Sequence, residues 1–416
     1  SGGLAAAQVS GLIMLADSMK ITLPAGGSLN QTGNVILDSE GNTALSATIE
    51  SFPYDYLLYY NSADSTMYKV SGSITDLLDM KNLSASLTAG LGSCITGKAD
   101  DVSGWSGSGS TLTLSGIDFE TTAVCALLVS DGVTVNLAEG THNTLVSTCF
   151  TEFSSAGLMS GGSLTISGSG SLQAAGGTFS GIYGGTFGIY AADALSIRDM
   201  PELTAAGGTA RGTAEGSTAF SCGLMAVNDI DVTGAAQITA AGGKCSAAGD
   251  QSYITSAGIV SPQGTLSIAG KDQEHPAMIS ISGDWGLIAV DITLVQAAVT
   301  AGSEEVYTAR VGICAREDLS VRQCTLTCHS TTDALEAAQG SVTLEASQAN
   351  LFAQTKYSVI WAKAGVDIRT SLLVCTGGEN GIETSGPISI SDASVVLCTS
   401  PEGEIPHAYT GLRFGP

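Results

Sequence analysis

Residues 157–174 read GLMSGGSLTISGSGSLQA. The order is Gly, an aliphatic, one intervening residue and a small one, then a turn, Leu-x-Ile, a second turn and Leu-x-Ala. It returns at residues 188–205 as GIYAADALSIRDMPELTA and at 223–240 as GLMAVNDIDVTGAAQITA. Looser copies begin at Ala126, Gly258, Gly286, Gly312, Ala334, Ser358 and Gly381, with a fragment, GLRF, at Gly411. The starts lie 22 to 35 residues apart, a period that marks solenoids and arrays.

The second element of each copy decides the secondary structure. It runs Val133-x-Val135, Leu164-x-Ile166, Leu195-x-Ile197, Ile230-x-Val232 and Leu266-x-Ile268, then Ile292-x-Leu294, Leu319-x-Val321, Val342-x-Leu344, Val366-x-Ile368 and Ile388-x-Ile390. Every intervening residue is Thr, Ser or Asp. Such alternation turns the branched aliphatics inward and the hydroxyls outward. Three short strands per copy, joined by Gly, Asp and Asn turns, leave no room for helical crossovers. Parallel crossovers coil right-handedly. The expectation is therefore an all-β, right-handed parallel β-helix of about ten or more coils over residues 111–416. Rungs roughly 4.8 Å apart would make it a rod about 50 Å long. Residues 1–110 do not follow the repeat and are expected to form a β-rich cap, with strands at Lys20–Leu23 and Asn34–Leu37 and turns at 25–28 and 41–43. The run YDYLLYY at Tyr54–Tyr60 would cover the open end of the stack or offer rings to a glycan. The Gly/Ser-rich DVSGWSGSGS at 101–110 is the candidate boundary.

Composition narrows the partners. Fifteen Lys and Arg against 39 Asp and Glu give a net charge of −24, which excludes a phosphate-neutralising surface and hence nucleic acid. Anionic membranes and glycans are disfavoured too, unless a divalent cation bridges. No apolar stretch is long enough to span a bilayer, and the opening SGGLAAAQ, without initiator Met or basic segment, is expected of a mature or excised fragment. Of ten cysteines, Cys328, Cys375 and Cys398 stand where other copies have Ala174, Ala205, Ala240 and Ala301, so they read as small core residues. Cys222 and Cys245 flank one repeat and are a candidate bridge. Cys324 and Cys328 beside His329 have metal-like spacing but no second half.

Two features point to a binding surface. The residues that alternate outward on the first strand are Met159, Tyr190, Met225, Val260, Ile288 and Cys314, turning polar at Glu336. So long an apolar stripe needs a cover: residues 1–110, a partner or ligand, or else a strand facing the other way. Three adjacent copies also carry inserts that open with Ala-Ala-Gly-Gly: residues 174–187 with Phe179, Tyr183 and Phe187, 205–222 with Arg211, and 240–257 with Tyr253. Inserts at one position of successive coils stack on one edge, where solenoids bind their ligands. With Tyr190 these are the candidate ligand-binding residues. Asp131, Asp193, Asp229, Asp291 and Asp318 recur before the second strand. Asp holds such turns through local amides, and a stack of them is also a candidate Ca²⁺ site. The hydroxyl files would suit ice, but Asp231 and Asp367 interrupt them.

Catalytic signatures are sparse. The adjacent acidic pairs, Glu304-Glu305 and Glu317-Asp318, lie on connections, and Asp100-Asp101 precedes the array. None meets the paired-carboxylate requirement of a galacturonan hydrolase. His142, His275, His329 and His407 occupy no repeated position, and Arg198, Arg310, Arg316 and Arg322 lack the carboxylate cluster a lyase base needs. No nucleophile elbow, phosphate loop or nucleotide fingerprint is present. No catalytic residue is assigned.

GVTVNLAEGTHNTLVS at 132–147 and SGGSLTISGSGSLQAAGG from Ser160 resemble carbohydrate-binding domain-containing surface proteins of clostridia and gut bacteria, some of them pectate-lyase-like in fold without the lyase residues. The resemblance covers roughly residues 110–300. It implies a secreted or cell-surface, calcium-assisted, non-catalytic module for polysaccharide or host glycan, with Asn143 in a structural turn. A stalk or adhesin segment without glycan binding and an unrecognised polysaccharide lyase are the alternatives.

Overall fold

A computed structural model describes residues 94–399, apart from 153, 200, 248–252, 304–307, 309 and 355–356, together with residues 55–71 and several short N-terminal stretches and Leu412–Phe414. The N-terminal stretches are Gly2–Leu4, Met19–Leu23, Ser28–Leu29, Ile36–Leu37, residues 39–42 and Ala47–Ser51. Tyr54, the expected turn at 25–27, Asn34 and Val35 of the expected strand, Thr43, Glu304, Glu305, His407 and Gly411 fall outside the described residues. Those that are described contain strands and turns and no helix.

Each lap of the chain adds one strand to each of three long sheets. The first sheet takes the Gly-Leu strand of every copy, from Cys125–Val129 through Ser155–Ser160, Tyr183–Ala191, Thr218–Ala226 and Tyr253–Ser261 to Asn380–Thr384. The second takes the Leu-x-Ile strands and the third the strands ending in Ala or Cys. Successive laps pair in parallel, and the aliphatics stack in register: Val133 on Leu164, Leu195, Ile230, Leu266 and Ile292, continuing to Ile388. Leu412 and Phe414 of the GLRF fragment add another rung above Ile388 and Ile390. The same holds on the first sheet for Leu127, Leu158, Ile189, Leu224, Ile259, Leu287, Ile313, Leu335, Ile360 and Ile382. These files make one continuous core along the solenoid. Each fully buried member contributes about 1.5–3 kcal/mol relative to exposure.

The glycine that opens each copy has a steric cause. A Cβ on Gly157 would lie 2.5 Å from the Ala175 nitrogen and the Leu145 carbonyl oxygen. The first strand passes against the third sheet there, and only hydrogen fits between them. The alternation breaks at this corner, so Phe187 and Tyr190 both face out of the coil although they are three residues apart, their rings 5.0 Å from each other.

The outward stripe is buried from Met159 to Val260 and half-buried at Ile288 and Cys314. Met159, Tyr190, Met225 and Val260 are buried in a second apolar core, separate from the coil interior, with Ala156, Phe187, Cys222 and Ala257. Its described members from the N-terminal region are Leu57 and Val70, with Tyr59, Tyr68, Cys94 and Ile95 against them. Tyr56–Asn61 lies on the first sheet as a further parallel rung, Leu58 against Leu127 and Tyr60 against Val129. Thr66–Ser71 and Ile95–Lys98 then extend that sheet antiparallel. Trp105–Ser108, within the expected boundary, turns back as a hairpin on Thr111–Leu114. Tyr60 is buried beneath it, and its hydroxyl donates to the Gly109 and Thr111 carbonyls at 2.8 and 3.1 Å.

All ten cysteines are free thiols. Cys328 sits on Ala301, and Cys398 on Cys375, as small residues of the third sheet. Cys222 is in the second core, while the Cys245 thiol donates to the Thr255 carbonyl, so the candidate bridge is not formed. His329 stacks on Phe352 with centroids 4.3 Å apart.

Candidate functional site

The three inserts build a wing. Phe150–Thr151, Thr178–Gly181, Ala210–Gly212 and Cys245–Ala247 pair in parallel as a fourth, short sheet beside the coils. Tight turns bring it there. A Cβ on Gly208 would meet the Gly177 carbonyl oxygen at 1.9 Å, so the Gly-Gly pairs let one turn rest on the next. A file of buried hydroxyls, Ser155, Thr186, Ser221 and Ser256, runs alongside in register. Thr186 Oγ1 donates to the Gly177 carbonyl and accepts the Gly208 amide, both at 2.9 Å. Ser221 Oγ repeats this with the Gly208 carbonyl at 2.6 Å and the Gly243 amide at 2.7 Å. The hydroxyls thus satisfy backbone groups that the turn would otherwise bury unpaired.

The first-sheet strands lengthen here to form the other side of the wing. Gly184, Ala219 and Ile254 lie in register facing Phe179, Ala210 and Cys245 of the short sheet, and these make a small apolar interior. Tyr183, Thr218 and Tyr253 are the neighbouring file and face outward, two rungs separating the two tyrosines. Tyr183 is 46% exposed and Tyr253 65%. Phe220, two positions along from Thr218 on the middle rung, is half-buried and meets Tyr253 edge-on at 6.2 Å. Tyr183, Phe220 and Tyr253 therefore form an exposed aromatic margin on the edge of the second core.

The expected ligand-binding set divides accordingly. Phe179 fills the wing, and Phe187 and Tyr190 belong to the second core; all three are buried and cannot touch a ligand. Burial pushes the Tyr190 hydroxyl to a pKa of about 12, with Tyr183 as the lesser cause. Arg211 is exposed but neighbours the inward Ala210, which puts it on the opposite side of the wing from the tyrosines. Tyr183 and Tyr253 remain, joined by Phe220.

The five turn aspartates do not converge. Asp131 Oδ1 accepts the Ser163 amide of the following lap at 2.7 Å, Asp229 that of Thr265 at 2.8 Å, Asp291 that of Asp318 at 3.0 Å and Asp318 that of Ser341 at 2.7 Å. Asp193 takes the Asn228 amide nitrogen and the Ser163 hydroxyl at 2.6 and 2.7 Å, and these bonds hold its carboxyl below the usual range. Each carboxylate ties one lap to the next. Among the described residues no three His, Cys, Asp or Glu side chains come together to hold a metal. Asn143 is likewise a staple: its Oδ1 accepts the Gly116 and Ile117 amides at 2.9 and 3.2 Å, and its Nδ2 donates to the Ser171 carbonyl at 2.9 Å.

The family model of carbohydrate-binding domain-containing proteins matches residues 95–353. The chain belongs to that family. No curated protein and no solved structure matches it. The carbohydrate-binding domain match encloses the whole wing, and reaches from the N-terminal hairpin past the last insert.

A second concavity straddles the end of the carbohydrate-binding match. The outward file of the first sheet continues Cys314, Glu336, Trp361, Glu383 in register. With Asp333, Tyr357 and Ser358 these last three line a cleft of about 290 Å³. Ser358 Oγ donates to Glu383 Oε2, which also accepts from Asn380 Nδ2 at 3.2 Å. Burial foremost, then the charges of Glu336 and Glu383, raise the Asp333 carboxyl to a pKa of about 7. Burial also raises that of Glu336. The sequence signal was available, because Trp361 and Glu383 hold the same place in their copies as Tyr190. That file runs two rungs past Glu336, to Trp361 and Glu383.

Proposed function

We propose that the chain is a right-handed parallel β-helix serving as an extracellular, non-catalytic glycan-binding module of a bacterial surface or secreted protein, and that polysaccharide or host glycan lies along the wing. The observation that carries this reading is the outward file Tyr183–Thr218–Tyr253. Rungs about 4.8 Å apart put the two rings roughly 10 Å from each other, close to the repeat of alternate rings in an extended β-linked glycan. Tyrosine suits the task, presenting a flat apolar face to sugar C–H groups and a hydroxyl to their oxygens. Phe220 holds Tyr253 from the side, so part of the ordering is in place before binding. Family membership supports the same reading.

The test is a glycan array probed with the wild type and with Tyr183→Ala/Tyr253→Ala, each with and without a chelator. Removing both exposed rings is expected to cut retention roughly tenfold or more while moving thermal unfolding little, as exposed-site changes do. Chelation is expected to leave retention unchanged, since the aspartates are engaged by amides. Equal retention of a neutral glycan by both proteins would overturn the wing reading, absence of retention by either would favour a stalk without glycan binding, and loss on chelation would restore a calcium requirement.

A further inference from the structure

We propose that the cleft between Asp333, Glu336 and Glu383, with Trp361 on its floor, is a second glycan subsite selective for sugars that carry a free amino group. The inference rests on the reading that this chain handles glycans, but on different residues.

The geometry carries it. Glu336 and Glu383 lie in one outward file on either side of Trp361, so the carboxylates are two rungs, about 10 Å, apart. Asp333 adds a third carboxyl, and Tyr357 an exposed ring, at the rim. Among the described residues no Lys, Arg or His forms an ion pair with any of the three acids. They are also not gathered closely enough to hold a metal ion. A small cation therefore cannot serve them together, whereas a polyatomic ligand whose charges are spread along its length can. In an amino sugar the ammonium donates charge-assisted hydrogen bonds to carboxylates. The pyranose face and the cation both suit an indole. Burial foremost, and after it the charges of Glu336 and Glu383, raise Asp333; a neutral sugar would leave that repulsion unrelieved. The protein's net charge of −24 adds long-range attraction for a cationic chain. On the earlier coils the same file is Met159, Tyr190, Met225 and Val260, buried and apolar; the change to acid, indole, acid coincides with the cleft.

The experiment titrates the protein, at low and physiological salt, with a glucosamine tetramer, its fully N-acetylated counterpart, cellotetraose and a tetralysine peptide. Wild type, Glu336→Gln/Glu383→Gln and Tyr183→Ala/Tyr253→Ala are compared by calorimetry. The glucosamine tetramer is expected to bind wild type roughly tenfold or more tightly than either uncharged tetramer, and to weaken by a similar factor in the Gln pair, as loss of charge-assisted bonds requires. The Tyr pair should bind it as wild type does. Equal affinity for the free and acetylated tetramers, or undiminished affinity in the Gln pair, would overturn the proposal. Equal affinity for tetralysine would overturn it in favour of a basic peptide. The ligand comparison on wild type needs no variant to fold. If amine selectivity appears while no neutral glycan binds the wing, the wing reading fails and the cleft stands; the reverse pattern removes the cleft and keeps the wing.

Discussion

Between Ser155 and Ser261 the laps carry inserts, and their first-sheet strands run to nine residues in Tyr183–Ala191, Thr218–Ala226 and Tyr253–Ser261. Among the described residues from Trp285 onward the first-sheet strands are at most five residues long, as in Trp285–Ala289 and Ser358–Ala362, and the short sheet does not continue. The inward files cross from one half to the other without a break: Ile259 meets Leu287 and Leu266 meets Ile292. The outward residues do not. They are apolar and buried at Tyr190 and Met225, then acidic and aromatic at Glu336, Trp361 and Glu383. The interior of a lap is dictated by the laps above and below it. Its exterior is free of that demand, and the two halves have used the freedom differently.

The largest expected effect tests that division within one strand. Ile166 is inward and fully buried, and Thr165 points out beside Thr134 and Ser196. Ile166→Asp places an unpaired charge in the continuous core and is expected to cost about 4 kcal/mol or more. Thr165→Asp is expected to stay within about 0.5 kcal/mol, since Asp231 and Asp367 already occupy that file on other rungs. Urea unfolding of the two variants decides it. Comparable losses would mean that inside and outside are not distinguished as the register implies.

A smaller effect should be confined to the half with inserts. Ser221→Ala removes the hydroxyl that serves the Gly208 carbonyl and the Gly243 amide. Leaving those groups without partners in a buried turn is expected to cost about 1–3 kcal/mol. Hydrogen exchange should quicken at Gly243 and its neighbours in the wing while the strands beyond Trp285 keep their protection. Uniform acceleration along the rod would show that the wing is not a separate local unit.

How much of this was legible in the residues follows from the same division. The inward files of the second strand could be read one by one, because burial on every lap forces an aliphatic into each place from Val133 to Ile388. The outward stripe was legible as apolar, and its need for a cover was too. The wing was legible as a stack of inserts through its repeated Ala-Ala-Gly-Gly, but which rings faced in was not. That depends on the hydroxyl two residues before each leading Gly, at Ser155, Thr186, Ser221 and Ser256, which fixes the turn and hence turns Phe179 inward and Tyr183 outward. Period-two alternation also fails at the glycine corner, so Phe187 and Tyr190 were open to being read as surface rings. The cleft was legible in part, since Glu336, Trp361 and Glu383 hold the repeated place of Tyr190, but Asp333 lies outside that file. The acids of the cleft are far apart in sequence, and only the register of Glu336, Trp361 and Glu383 brings them together.

The two halves should also part in their response to pH. Asp193, in the turn after Tyr183–Ala191, has its carboxyl lowered by the Asn228 and Ser163 bonds, so its contribution is present above the ordinary carboxylate range and lost as pH falls through the depressed folded value. Asp333, in the cleft, moves the other way. Burial and the charges of Glu336 and Glu383 raise it to about 7 against a backbone bond with Ser358 that lowers it, while Glu336 in turn is bonded to Cys314. The unfolded chain ionises this group near its ordinary value of 3.8 and the folded chain only near 7. Its contribution is therefore fully present below the unfolded value, falls as pH rises between the two, and is level above the higher one. Asp333→Asn takes the group out of the titration. Thermal midpoints recorded from acid to pH 8 are expected to lie close for wild type and variant at the acid end and to separate as pH rises, with the variant the more stable at pH 8. A variant that gains nothing toward pH 8 would mean that neither burial nor the neighbouring carboxylates hold Asp333 raised, and the contrast between the halves in their response to pH would be lost.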